Sequence, residues 1–123
     1  MTIQELYTEI GDYEEAKKHL MNDRLIGKFV VKFPGDPSFS QLVDAWEKRD
    51  GDGIFKAAHA MKGVCANLAL SGLSVLVEQV TEEYRPGQTK QLPAIDMPQV
   101  MAELQEQYQN VVAAIERYQN ASA

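Results

Sequence analysis

Ala57-Ala58-His59-Ala60-Met61-Lys62-Gly63-Val64-Cys65-Ala66-Asn67-Leu68 reads as the middle of one amphipathic helix, and the rest of the chain is organised around it. At about 100° per residue, Ile54, Ala57, Ala58, Met61, Val64, Cys65 and Leu68 share one broad apolar face. His59 falls roughly opposite the centre of that face. Lys62 follows at i+3 on the same side, and Gly63 stands at i+4, directly above the histidine. The wet face of this helix therefore carries a titratable nucleophile, a cation beside it and a gap where a side chain is missing. A glycine inside a helix costs about 1 kcal/mol relative to alanine. Gly63 needs a reason other than helix formation.

Composition narrows the function classes. The 123 residues suit one domain, and 45% apolar content is enough to build a core. The net charge is −6, from 18 acidic and 12 basic residues, with no basic stripe interleaved with aromatics, which argues against a nucleic-acid partner. No apolar run approaches the ~18 residues of a membrane helix. Met1 to Leu6 lacks the basic and apolar regions of a secretory signal. Cys65 is the single cysteine, so no internal disulfide forms. A cytoplasmic monomer is the expectation. Two histidines and one cysteine without ligand spacing give no metal site. The chain has no Gly-rich phosphate loop, and no pair of carboxylates is placed to act as acid and base.

The remaining signals are helical almost throughout. Thr2 and Glu5 form a capping box that opens a short helix ended by Gly11. Asp12 opens a second helix to about Leu20, and Asn22 a third that carries Leu25 to Phe33 and stops at Pro34-Gly35. Asp36 caps a new start with Pro37 at the first helical position. Asp50 or Asp52 caps the histidine helix, and Ser71 the one after it. Four longer helices are predicted near 37–49, 53–69, 72–85 and 98–119. A loop is predicted over Gln88 to Ile95, and a frayed tail from Asn120. Short links favour antiparallel neighbours. The expected fold is all-α: an antiparallel up-down four-helix bundle over 36–119, with the short helices of 1–35 packed on it.

The stretch resembles the histidine-containing phosphotransfer (HPt) family. That family's pattern is a histidine, Lys-Gly three and four residues on, a run of small residues and an Asn-Leu pair. Here it reads His59, Lys62, Gly63, Ala66, Asn67 and Leu68. The usual glycine after the leucine is Ala69, and the usual small polar residue after Lys-Gly is Val64; neither lies on the histidine's face. The resemblance implies the same bundle. It also implies that His59 accepts a phosphoryl group from a receiver-domain aspartate and passes it to another receiver. Response-regulator receivers, and a hybrid histidine kinase, are the implied partners, and magnesium belongs to the receiver rather than to this chain.

Each residue near His59 then acquires a role. An imidazole is largely neutral near pH 7, as a nucleophile must be. Lys62 is placed to stabilise phosphoryl charge, with Lys56 at i−3 as a second cation. Gly63 gives the partner access, and Ala60 and Ala66 keep the surrounding surface low. Asn67 is assigned to the binding surface, and Phe55 and Met61 to its border. Cys65 lies too far around the helix to pair with His59. His19, Glu82 and Glu83 read as solvated surface. The alternative reading is a module of the same fold that docks on a receiver or another signalling partner and moves no phosphate.

Overall fold

Why the histidine helix sits where it does is set by the turns at its two ends. The computed structural model describes residues 1–87 and 95–122, and among them every regular element is helical. Three short helices, α1 (Ile3–Ile10), α2 (Tyr13–Leu20) and α3 (Asp23–Val30), precede a 3-10 turn at Phe33–Gly35. Then come α4 (Ser38–Glu47), α5 (Gly51–Asn67), α6 (Ser71–Glu83) and α7 (Met97–Ser122). No helix among the described residues is long and apolar enough to cross a membrane.

Most helix starts are the expected ones. Thr2 and Glu5 bond reciprocally. Asp12, Asn22 and Asp50 each accept from the backbone N–H three residues on. Such caps satisfy N–H groups that have no partner within the helix. Asp36 accepts from the Ser38 N–H at 2.9 Å, but Pro37 is the N-cap rather than the first helical residue, and α4 begins at Ser38. Ser71 departs from expectation: it is the first helical residue, Leu70 precedes it, and its hydroxyl reaches back to the Ala69 carbonyl at 3.4 Å. This start is dictated by the end of α5. There the Leu70 N–H donates to the Cys65 carbonyl at 2.9 Å while Ala69 takes a left-handed φ of 54°, the geometry of a Schellman stop. The α4–α5 turn ends the same way, with Asp50 N–H on the Ala45 carbonyl and Arg49 at φ 54°.

Two other boundaries shift. Phe33 belongs to the 3-10 turn, because α3 stops at Val30. The last helix continues through Asn120 to Ser122 instead of fraying. Apart from Ile95, the predicted loop over Gln88 to Ile95 lies outside the described residues.

The long helices pack in chain order: α5 lies against both α4 and α6, and α6 against α7. Phe39 of α4 stacks on Tyr108 of α7 with ring centroids 3.7 Å apart, which joins the first and last of them. The short helices enter the same core. Ile3, Leu6, Tyr7, Ile10, Ile26 and Val30 are all buried with Leu42, Met61 and Ile115. α1 packs along α7, and Arg117 forms an ion pair with Glu9 there. On the far side, the Tyr7 hydroxyl donates to the Leu68 carbonyl at 2.8 Å, so α1 also grips the end of α5.

Candidate functional site

The apolar stripe of α5 turns its opposite side to solvent. Ile54, Ala57, Ala58, Met61, Cys65 and Leu68 are buried, and Val64 is half-buried at the edge. His59, Ala60, Gly63, Ala66 and Asn67 are exposed, and Lys62 is half-buried. A Cβ added at Gly63 would meet nothing within 4 Å. Open space therefore stands over the histidine, and the glycine is not required by any neighbour within this chain.

The imidazole has one aromatic neighbour. Phe55, one turn earlier, stacks with it at a centroid separation of 5.7 Å and 19° between planes. The Arg85 guanidinium lies over the other part of this group, 5.5 Å from the Phe55 centroid. Arg85 also donates to both carboxylate oxygens of Glu82, at 3.0 and 2.7 Å. That bidentate bond holds the Glu82 carboxyl below its ordinary pKa.

The two lysines differ. Lys62 Nζ lies 3.9 Å from Glu78 Oε1 and 4.0 Å from Glu82 Oε1, both on α6. Lys56 is engaged elsewhere: its Nζ pairs with Asp52 at 2.9 Å along the helix. This bond raises the Lys56 pKa. Asp52 is thus the partner of Lys56, while Asp50 is the cap.

Beside Gly63 the surface falls into a groove of about 500 Å³. Ala60, Gly63, Val64 and Asn67 of α5 form one wall. Phe29, Lys32, Phe33 and Asp36 form the other. Phe29 is an exposed large apolar side chain, 39% accessible. Met61, expected at the border of the docking surface, is instead fully buried; Phe55 is half-buried beside His59 and does not line the groove. Asn67 turns its side of the helix to the groove, and its backbone carbonyl meets His19 Nδ1 at 3.3 Å.

The model of the Hpt domain matches residues 34–114. The chain belongs to the Hpt domain family. No curated protein and no solved structure matched it. Hpt domains are phosphocarrier modules of two-component phosphorelays, and they interact with receiver domains and kinases. The Hpt match begins at the 3-10 turn, so α1–α3 lie before it although they share the core. Ala69, where an Hpt domain usually has glycine, adopts the left-handed backbone that glycine favours. For a residue with a Cβ that conformation costs roughly 1–2 kcal/mol.

Sequence reasoning missed Glu78 and Glu82 on α6, Arg85 just beyond its end, and the wall supplied by Phe29, Lys32 and Asp36. Only the bidentate spacing of Glu82 and Arg85, at i and i+3, was visible as a local signal. Their meeting with α5 is a product of packing.

Proposed function

We propose that this Hpt domain is a phosphorelay intermediate with His59 as the residue that bears the phosphoryl group. The observation that carries the reading is the exposed His59 under the open space at Gly63. A receiver's active site needs that room to reach the imidazole. In the transfer, the bond from phosphorus to the receiver's aspartyl oxygen breaks as a bond to an imidazole nitrogen forms. The carboxylate leaves with the electron pair, and the other ring nitrogen keeps its proton. The return step to a second receiver is the reverse.

The surrounding residues divide the work. Lys62 stands one turn beyond His59 to offset phosphoryl charge. Lys56, engaged by Asp52, is a weaker candidate than its spacing suggested. Ala60 and Ala66 keep the surface low, and the groove by Gly63 and Asn67 gives the receiver an apolar footing flanked by Lys32 and Asp36. Magnesium and most of the catalysis belong to the receiver in this reading. The chain carries no nucleotide-binding loop in its sequence, so the phosphoryl group comes from a partner and not from ATP.

The test is transfer from a phosphorylated receiver with magnesium to the wild-type chain and to His59→Gln. Label on the wild type alone, lost in acid and stable in base, is expected. Receivers that bind both chains and label neither would leave a docking module.

A further inference from the structure

Lys62 stands one turn beyond His59 but reaches across to α6. Its ammonium is shared between Glu78 and Glu82 at 3.9 and 4.0 Å, longer than the ~2.7–2.9 Å of a charge-assisted hydrogen bond. These pairs are exposed: the side chains of Glu78 and Glu82 are 61% and 43% accessible. Loose pairs in high dielectric hold weakly. A phosphoryl group on a ring nitrogen brings close to two negative charges to the same side of α5, by analogy with phosphorylated side chains. The lysine then has a stronger partner within its reach. Glu82 cannot follow it, because Arg85 fixes both carboxylate oxygens and is itself seated over Phe55.

We propose that Glu82, together with Glu78, parks Lys62 on α6 while His59 is unmodified, and that phosphorylation of His59 draws the lysine across to the phosphoryl oxygens. The two glutamates are positioning residues that act through Lys62. They lower its net hold on the phosphoryl group and so keep the group transferable. This inference rests on His59 being the phosphate-bearing residue, but not on which receiver supplies the phosphate.

The test uses phosphoramidate as donor on the full chain. The imidazole nitrogen displaces ammonia from phosphorus, and no receiver is needed. Decay of the phosphohistidine is followed by ³¹P NMR. Glu82→Gln, and more so the Glu78→Gln/Glu82→Gln pair, should slow decay about two- to fivefold, the scale of an exposed ion pair. Lys62→Ala should speed it, and in that background Glu82→Gln should change nothing. In the wild type the Lys62 Cε resonance should move on phosphorylation. Equal slowing by Glu82→Gln with and without the lysine would overturn the proposal, since the carboxylate would then act on the phosphate by direct repulsion. An unchanged decay in the glutamate variants, or no label on His59, would overturn it as well. Labelling by phosphoramidate without transfer from any receiver would strike only the relay reading.

Discussion

At the scale of single residues, two buried acids tie stability to pH. The Cys65 thiol is wholly buried, and burial pushes its pKa up from 9.0 to about 12. Burial raises the Tyr7 phenol as well, from 10.0. Both are neutral groups that the fold keeps protonated. In the unfolded chain they release their protons near 9 and 10, so above those values the unfolded state binds fewer protons than the native one. Stability must then fall as pH rises, by about 1.4 kcal/mol per unit for each group. For Cys65 the loss ends near its folded pKa of about 12. Urea unfolding between pH 8 and pH 11 should show this decline, and Cys65→Ala should make it shallower. A decline equally steep in that variant would mean that the thiol ionises in the folded chain. Tyr7 also carries a contact that its phenyl ring cannot replace. Tyr7→Phe removes the donor to the Leu68 carbonyl and leaves a buried acceptor unpaired, at about 1–3 kcal/mol. Urea midpoints of the two chains measure it directly.

At the scale of the element, α5 balances helix stability against access. A methyl group at position 63 meets nothing, so Gly63→Ala should raise stability by about 0.5–1 kcal/mol through helix propensity alone. Gly63→Leu should remain folded yet slow phosphoryl transfer from a receiver, because the added side chain stands in the open space over His59. A Gly63→Ala chain less stable than wild type would show that the glycine serves packing. The contrast is Gly11, where a Cβ would lie 2.0 Å from the Ala69 carbonyl oxygen, the acceptor of the Asp12 N–H. Gly11→Ala must push the α1–α2 corner away from the end of α5, at about 1–3 kcal/mol by urea unfolding. Elements of this kind were legible in the sequence wherever a local rule governs them. The 3.6-residue repeat gave the buried face of α5, Asn22 announced its helix, and the choice left between Asp50 and Asp52 falls to Asp50. Ser71 misled because the start of α6 is set by the Schellman stop at Ala69, which needs a left-handed alanine that no propensity favours. Met61 was placed both on the apolar face and at the border of the docking surface, and only the first holds: it lies at the centre of that face and is fully buried. Of the candidate site, the exposed histidine with Lys62 and Gly63 beside it was legible because one helix spaces them. The partners of Lys62 on α6 and the groove wall at Phe29 and Lys32 were not, because residues distant in sequence meet there only through packing.

At the scale of the whole molecule, the question is whether the core ends where the family match begins. The match starts at residue 34, yet Leu6, Tyr7, Ile26 and Val30 are 1% accessible or less within the same cluster as Ile115. Deleting residues 1–31 removes those side chains together with the conformational entropy that ordering them costs, so their own burial does not decide the outcome. What decides it is the surface left behind. α7 runs to Ser122, past the end of the match at residue 114, and α1 lies along it near Arg117. Without α1, the Leu68 carbonyl loses Tyr7 and the apolar face of α7 meets water. Re-exposing two or three large side chains at about 1.5–3 kcal/mol each would remove a large part of the 5–15 kcal/mol that holds a typical domain together. The chain from residue 32 onward should therefore melt at least about 10 °C below the full chain, with a broader transition. Calorimetry of the two chains makes the comparison. Equal midpoints with equal sharpness would place the folding unit at the family boundary and make α1–α3 an appendage, in which case the Phe29–Lys32 wall of the groove serves the partner and not the fold.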